Sequence, residues 1–324
     1  WVEQDDKGHY AAMVSFYPQF DYTEDSADNN HDNHSLRDVE ILFVVDCSSS
    51  MKGETFEDMR RTLRAMLLSL LKRQQSQQQQ QAQHPPHRSA TAFSFNLITF
   101  GSTAEYLFPI SQPVDATSIA SAVGIVDKIG PNQGGTELWD VLKGIHLLSS
   151  PSSTLRNVFL LSDGHVSNSD RVIGLARKGN TSGRYRLFSF GFGNSCTRHT
   201  LRTLARLGGG SAEFPQPQTL PNQSKIERQI RRAIQPAVAN IEVQWETSAN
   251  QKKLEMQQAP HQILSLFDGE RSIVYGFVGW TTMATLSATF GGVSFSSVVS
   301  THELVRSPKP LSLSLSLSLS LSLS

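Results

Sequence analysis

The sequence predicts an α/β fold, a doubly wound and mainly parallel Rossmann-like sheet flanked by a smaller β-rich module. Three observations carry that prediction. Ile41-Leu42-Phe43-Val44-Val45 is an unbroken apolar run closed by Asp46 and a serine cluster, as expected of a strand buried on both faces. A second apolar run, Asn157 to Leu161, also leads into an aspartate, Asp163. Around these runs strand-like and helix-like segments alternate, the order that parallel strands joined by right-handed crossovers require.

Residues 11–20 read as a strand ending near Pro18, and 21–38 as an acidic, Asn-rich linker. Within that linker, His31-Asp32-Asn33-His34 reads as solvated polar residues rather than a metal site. From Thr55 to Leu71, Phe56, Met59, Leu63, Met66, Leu67, Leu70 and Leu71 recur at helical spacing, so this segment packs back on the sheet. The Gln-rich stretch 74–90 is expected to be a disordered surface insert. Ala92 to Phe100 and Ala104 to Phe108 read as strands, and Ile119 to Ile129 as a helix stopped by Gly130-Pro131. Gly134-Gly135 permits a close backbone approach, and Thr136 is expected to open a helix reaching Leu148. Arg186 to Phe192 and Ala212 to Phe214 are further strands; Arg198 to Leu207 and Lys225 to Ile234 are further helices.

Beyond Pro236 the texture changes. Ala237 to Trp245, Ser272 to Trp280, Met283 to Phe290 and Val293 to Ser300 are strand-like runs without helices between them, a β-rich module over 236–306. The strand at 11–20 is a candidate to complete it, which would make the α/β unit an insert in a sandwich. Residues 307–324 end in strict Leu-Ser alternation, which a CT-dinucleotide repeat also encodes, so the tail reads as a gene-model artefact. With Trp1 rather than Met at the start, both natural termini are expected to lie outside this sequence.

The totals exclude some function classes. The 324 residues hold 29 Lys plus Arg and 29 Asp plus Glu, so no basic field recommends nucleic acid as a partner. No apolar run approaches the ~20 residues of a membrane-spanning helix. Two cysteines, Cys47 and Cys196, form no disulfide framework, which favours a reducing compartment. Sequons at Asn33, Asn180 and Asn222 matter only in a secreted protein. There is no G-x-S-x-G elbow, and Gly130 to Thr136 lacks the lysine of a phosphate-binding loop.

The chemistry gathers at strand ends. In an open α/β sheet ligands bind at the carboxyl edge, and Asp46, Ser48 and Ser50 alternate there so that their oxygens can converge. Hard oxygen donors with few carboxylates suit Mg2+ or Mn2+. Asp46, Ser48 and Ser50, then Thr136 at a helix start, then Asp163 after a later strand, resemble the von Willebrand factor A domain and its metal-ion-dependent adhesion site. The resemblance covers about 39–235 and implies that Ser48, Ser50 and Thr136 bind the cation by hydroxyls. It further implies that Asp46 and Asp163 hold it largely through water, with a carboxylate from a protein ligand completing the coordination.

A narrower resemblance, to the A-domain region of vault poly(ADP-ribose) polymerases, rests on Cys47, Met51-x-Gly53-x-Thr55-Phe56, Ile98-x-Phe100-Gly101, Leu161-Ser162-Asp163-Gly164-His165, Arg198-His199-x-Leu201-Arg202 and Val274-Tyr275-Gly276-Phe277. In those proteins a VIT domain precedes the A domain, so residues 1–38 would be its end and a linker. The resemblance implies an interaction module of an ADP-ribosyltransferase whose catalytic domain lies elsewhere, in the cytoplasm or nucleus, with vault-particle components among its partners. A secreted matrix-binding protein like the inter-alpha-trypsin inhibitor heavy chains is the alternative, and a scaffold without metal a third. No catalytic residue is expected here. Cys47 reads as a small core residue, His165 and His199 as structural, and Lys225, Arg228, Arg231 and Arg232 as a solvated helix face.

Overall fold

Strands that are apolar on both faces need a helical layer on each side. In the computed structural model, which describes residues 2–4, 10–19, 38–83, 91–148, 154–216, 223–235, 238–247, 257–278, 281–290 and 293–300, the chain supplies both layers. It begins with β1 (Val2–Gln4) and β2 (Tyr10–Phe16), then β3 (Asp38–Asp46), α1 (Glu54–Gln83), β4 (Phe93–Phe100), β5 (Ala104–Tyr106) and β6 (Gln112–Pro113). There follow α2 (Ala116–Val126), α3 (Leu138–Leu147), β7 (Thr154–Ser162), α4 (Ser169–Thr181), β8 (Arg186–Gly191), α5 (Arg198–Leu207), β9 (Gly209–Glu213) and α6 (Gln223–Ile234). The last part is all strand: β10 (Val238–Thr247), β11 (Gln257–Ala259), β12 (Ser272–Val278), β13 (Thr281–Phe290) and β14 (Val293–Ser300).

The large sheet runs β5-β4-β3-β7-β8-β9, with β6 also on β4. The pairs β3–β4, β3–β7, β7–β8 and β8–β9 are parallel; β5 and β6 add an antiparallel edge. Successive strand side chains point to opposite faces, so β3 feeds two cores. Ile41, Phe43 and Val45 pack under α1, α2 and α6, while Leu42 and Val44 pack under α3, α4 and α5. On α1, Phe56, Met59, Leu63, Met66, Leu67 and Leu70 are all buried, each such side chain contributing about 1.5–3 kcal/mol on leaving water. The doubly wound reading therefore holds.

Two expectations need correcting. The Gln-rich stretch is not a loop from residue 74: α1 continues through Gln83. Glutamine is a good helix former, and Gln74 is buried with its Oε1 accepting from the Phe93 amide at 3.1 Å, which ties the helix to the start of β4. Residues 84–90 lie outside the described residues, as do the linker with His31 and His34 and the Leu-Ser tail. The basic face of α6 is likewise not simply solvated. Arg228 donates twice to Glu213 Oε1 (2.8 and 2.6 Å), Lys225 Nζ donates to the Phe214 carbonyl (2.6 Å), and Arg232 pairs in bidentate fashion with Glu270 (2.7 Å each). This face must join α6 to β9 and to the loop before β12, so its cations neutralise the carboxylates they meet there.

The β-rich part forms two sheets, β1-β2-β12-β11 and β10-β13-β14. β2 pairs antiparallel with β12 along its whole length, so the α/β unit is inserted between β2 and β10, as the strand at 11–20 suggested. Ala12, Val14, Phe16 and Val274 from one sheet meet Trp245, Ala284, Leu286 and Ala288 from the other. Phe267 leaves this module to join the α1–α6 core, its ring 6.3 Å from that of Phe188. The Gly269 amide donates to the Pro18 carbonyl at 2.8 Å.

Candidate metal centre

Val45 is the last β3 residue paired on both sides; Asp46 still pairs with Phe100 of β4 but has no partner on β7, and the chain then turns through Cys47 to a short 3-10 turn at Ser49–Met51. Backbone bonds fix this turn. The Cys47 amide donates to the Phe100 carbonyl (2.8 Å), the Cys47 carbonyl accepts from the Gln133 amide (3.0 Å), and the Ser49 amide donates to the Gly134 carbonyl (3.0 Å). The loop before α3 thus lies directly against the loop after β3. Gly134 makes that approach possible: its φ of +76° is left-handed, and a Cβ there would meet Ser102 Oγ at 2.7 Å.

Asp46 is fully buried, yet no Lys or Arg pairs with it among the described residues. Its Oδ1 accepts from the Ser48 amide (2.9 Å) and its Oδ2 from Ser162 Oγ (2.6 Å). Burial pushes its carboxyl above the ordinary range; bonds from Ser162 and Ser48 act against that shift, and the charge of Asp163 adds to it. Ser48 is buried, Ser50 is exposed, and their hydroxyls lie 3.0 Å apart. Asp163, at the end of β7, is 2% exposed. Its carbonyl accepts from the Thr197 amide (2.8 Å) and its Oδ1 from the His165 amide (3.0 Å). Thr136 is buried just before α3, which begins at Leu138 rather than at Thr136 as expected, and its carbonyl accepts from the Ser167 amide (3.3 Å).

All five positions therefore lie at one edge of the sheet: Asp46 at the end of β3, Ser48 and Ser50 in the turn after it, Thr136 before α3 and Asp163 after β7. The sequence reading missed Ser162. It joins the two strand ends by donating to Asp46 while accepting from the Gly164 amide (2.9 Å), and its place next to Asp163 was the only local sign. His165 has a carboxylate neighbour that the sequence did not show: its Nδ1 lies 3.2 Å from Asp163 Oδ1 on an otherwise half-exposed ring. Cys47 behaves as expected of a core residue: burial, with help from Asp46, pushes its thiol to about 12. Cys196 is pushed to about 11 by burial and by Asp163, so neither thiol is poised as a nucleophile. The sequon residue Asn180 lies within α4, half-buried, while Asn33 and Asn222 lie outside the described residues.

The donor set suits a hard divalent cation: two carboxylates and three hydroxyls, with the buried anion of Asp46 lacking an ion-pair partner among the described residues. Among the described residues no group of three or more His, Cys, Asp or Glu able to hold a metal occurs, so a cation here would rest largely on hydroxyl donors.

A family model described as the von Willebrand factor type A domain matches residues 39–76 and 90–214, just over half of the chain. The chain is 32% identical to the human protein mono-ADP-ribosyltransferase PARP4, over 95% of this chain and 16% of that protein. It is 29% identical to a von Willebrand factor A domain-containing protein of Dictyostelium discoideum, over 94% of this chain and 13% of that protein. The chain thus spans about a sixth or less of the length of these relatives. Among solved structures, a von Willebrand factor type A protein from Catenulispora acidiphila superposes with a TM-score of 0.55 at 13% identity, over 90% of this chain and 69% of that one.

Proposed function

The chain belongs to the von Willebrand factor type A family, and from that premise we propose that it is a metal-dependent protein-interaction module. Mg2+ or Mn2+ would be held by Asp46, Ser48, Ser50, Thr136 and Asp163. The cation supplies an electrophilic position that a carboxylate of a protein ligand can fill. The observation that carries this reading is the buried Asp46 carboxylate, at the same sheet edge as Asp163, which among the described residues meets the Ser48 amide and the hydroxyls of Ser48 and Ser162 but no cationic side chain. A buried carboxylate without a cationic partner costs stability unless a cation joins it. The protein's own residues prepare the place: Ser162 fixes one Asp46 oxygen, the Ser48 amide fixes the other, and the Gly134 contact locks the hydroxyl-bearing turn against the Thr136 loop.

The similarity to mono-ADP-ribosyltransferases supports placing this module in a larger protein of that kind. ADP-ribosyl transfer is assigned to none of these residues, and vault-particle components become the first candidate partners. On this reading the protein works in the cytoplasm or nucleus. Among the described residues no helix is long and apolar enough to cross a membrane, and the balanced charge argues against nucleic acid as the partner.

The test is calorimetric titration of Mg2+ and Mn2+ into the full chain and into Asp46→Ala and Asp163→Ala, followed by pull-downs with and without chelator. Saturable binding by the wild type that both variants lose, with partner capture abolished by chelator, is the expected result. Equal binding by the wild type and both variants would remove the metal centre from these residues.

A further inference from the structure

We infer that the groove between α1 and α6 is a binding site for a small phosphate ester whose organic part carries a hydroxyl. The groove has a volume of about 610 Å³ and lies on the helical layer, apart from the carboxyl-edge loops; its walls include Lys72, Arg73, Gln77, Glu227, Arg228 and Arg231. Sites for small organic ligands have volumes of roughly 300–1,000 Å³.

The charge in the groove is not arranged as a scaffold would arrange it. At its other end, α1 neutralises each arginine: Arg60 pairs with Glu57, Arg61 with Asp58, and Arg64 with Asp127. Here Lys72, Arg73 and Arg231 form no ion pair among the described residues, and Arg228 is already held by Glu213. Glu227, the carboxylate of the wall, accepts from Gln223 Nε2 at 2.8 Å. Four cations thus stand against two carboxylates, Glu227 and Glu213. Arg73 is half-buried, and its guanidinium is pushed down by burial first and by Arg231 second, with Glu227 acting the other way. Two guanidiniums close enough to repel lower the stability of the empty protein, and planar guanidiniums match phosphate oxygens in bidentate fashion.

A second observation comes from the same wall. Gln77 Oε1 is buried and has no hydrogen-bond partner among the described residues. A buried acceptor without a donor is destabilising, and because Gln77 lines the groove and is not itself fully buried, a rotation of its side chain brings that oxygen to a ligand hydroxyl. This is why the ligand is a hydroxyl-bearing phosphate ester and not a bare anion.

The experiment follows melting of the full chain against inorganic phosphate, glycerol 3-phosphate and glucose 6-phosphate, with sodium sulfate at matched ionic strength. Saturable stabilisation is expected, with glucose 6-phosphate at least tenfold tighter than inorganic phosphate. Arg73→Gln and Arg231→Gln should each weaken it at least tenfold, and Gln77→Leu should remove the preference for the ester while sparing inorganic phosphate. Arg61→Gln, at the paired end of α1, should bind as the wild type does. Asp46→Ala should too, which keeps this outcome independent of the metal centre. Without ligand, Arg231→Gln should melt at or above the wild-type temperature because a repulsion is gone. Stabilisation equal in sulfate, binding that survives in the Arg73→Gln/Arg231→Gln double variant, or an Arg231→Gln variant that melts well below the wild type would each overturn the assignment.

Discussion

The two ends of the parallel sheet treat buried charge in opposite ways. At the amino end, Arg156 Nε reaches Glu40 Oε2 at 2.6 Å and its Nη1 reaches the Leu148 carbonyl at 3.1 Å, while Ser111 Oγ donates to the other Glu40 oxygen at 2.6 Å. One strand along, Arg186 donates to Asn157 Oδ1 (3.1 Å) and to the carbonyls of Ala233 and Gln235 (2.7 and 2.8 Å). These arginines sit where α3 and α6 end, so each guanidinium meets carbonyls that a helix leaves without partners, at the negative end of its dipole. At the carboxyl end Asp46 and Asp163 are as deeply buried but, among the described residues, meet only hydroxyls, amides and one half-exposed histidine ring. Buried charge completed inside the chain is scaffold; on the proposed reading, buried charge left incomplete is where the protein addresses something outside itself.

The largest test of that contrast is Arg186→Met. Burial pushes this guanidinium down to about 10, which still leaves it charged at neutral pH. Its removal leaves the Gln235 carbonyl and Asn157 Oδ1 without this donor inside the core. A loss of about 3 kcal/mol is expected, read as a lower urea midpoint at unchanged slope. A variant within about 1 kcal/mol of the wild type would mean that the α6 end is held by packing alone. The Arg156 and Glu40 pair should show a smaller effect because Glu40 is 14% exposed. Arg156→Met is expected to cost about 2 kcal/mol, and adding Glu40→Gln should return about half of it. Additive losses in that double-mutant cycle would break the claim that the pair acts as one unit.

Much of the carboxyl end could be read from the chain, and little of the amino end. β3, β7 and the aspartates near their ends are legible because a strand buried on both faces writes itself as a local apolar run. Asp46, Ser48, Ser50, Thr136 and Asp163 follow as a spaced set at predicted element ends. Arg156 and Arg186 carry no such mark. Their partners lie 116 and 47 residues away, and the carbonyls they satisfy belong to helix ends, which leave no side-chain pattern. Ser162 was invisible for a related reason: its role depends on β3 and β7 being neighbours in register, which the run of either strand alone does not say. The glutamines of α1 misled in the other direction. Low complexity reads as loop, yet the residue type favours helix, and the buried Gln74 bond to Phe93 keeps the end of the helix attached.

The smallest expected effect is the most direct probe of the incomplete end. Asp46→Asn keeps the shape of the side chain and removes its charge. In divalent-free buffer at pH 7 the variant should be about 1 kcal/mol more stable than the wild type, since it no longer holds a desolvated anion. The sign with pH follows from the raised carboxyl. A group that binds its proton more tightly in the folded state contributes stability that is fully present below its unfolded value, near 3.8, and is lost as pH rises through the folded value. The difference between variant and wild type should therefore vanish toward pH 3 and open as pH increases. Adding Mg2+ should reverse it, because a cation bound only by the folded wild type stabilises that protein by mass action and does nothing for the variant. Chemical denaturation at several pH values, with EDTA and with Mg2+, reads all of this. A variant less stable than the wild type in EDTA at pH 7 would show that the Asp46 charge is already satisfied within the chain, which would make the two ends of the sheet alike.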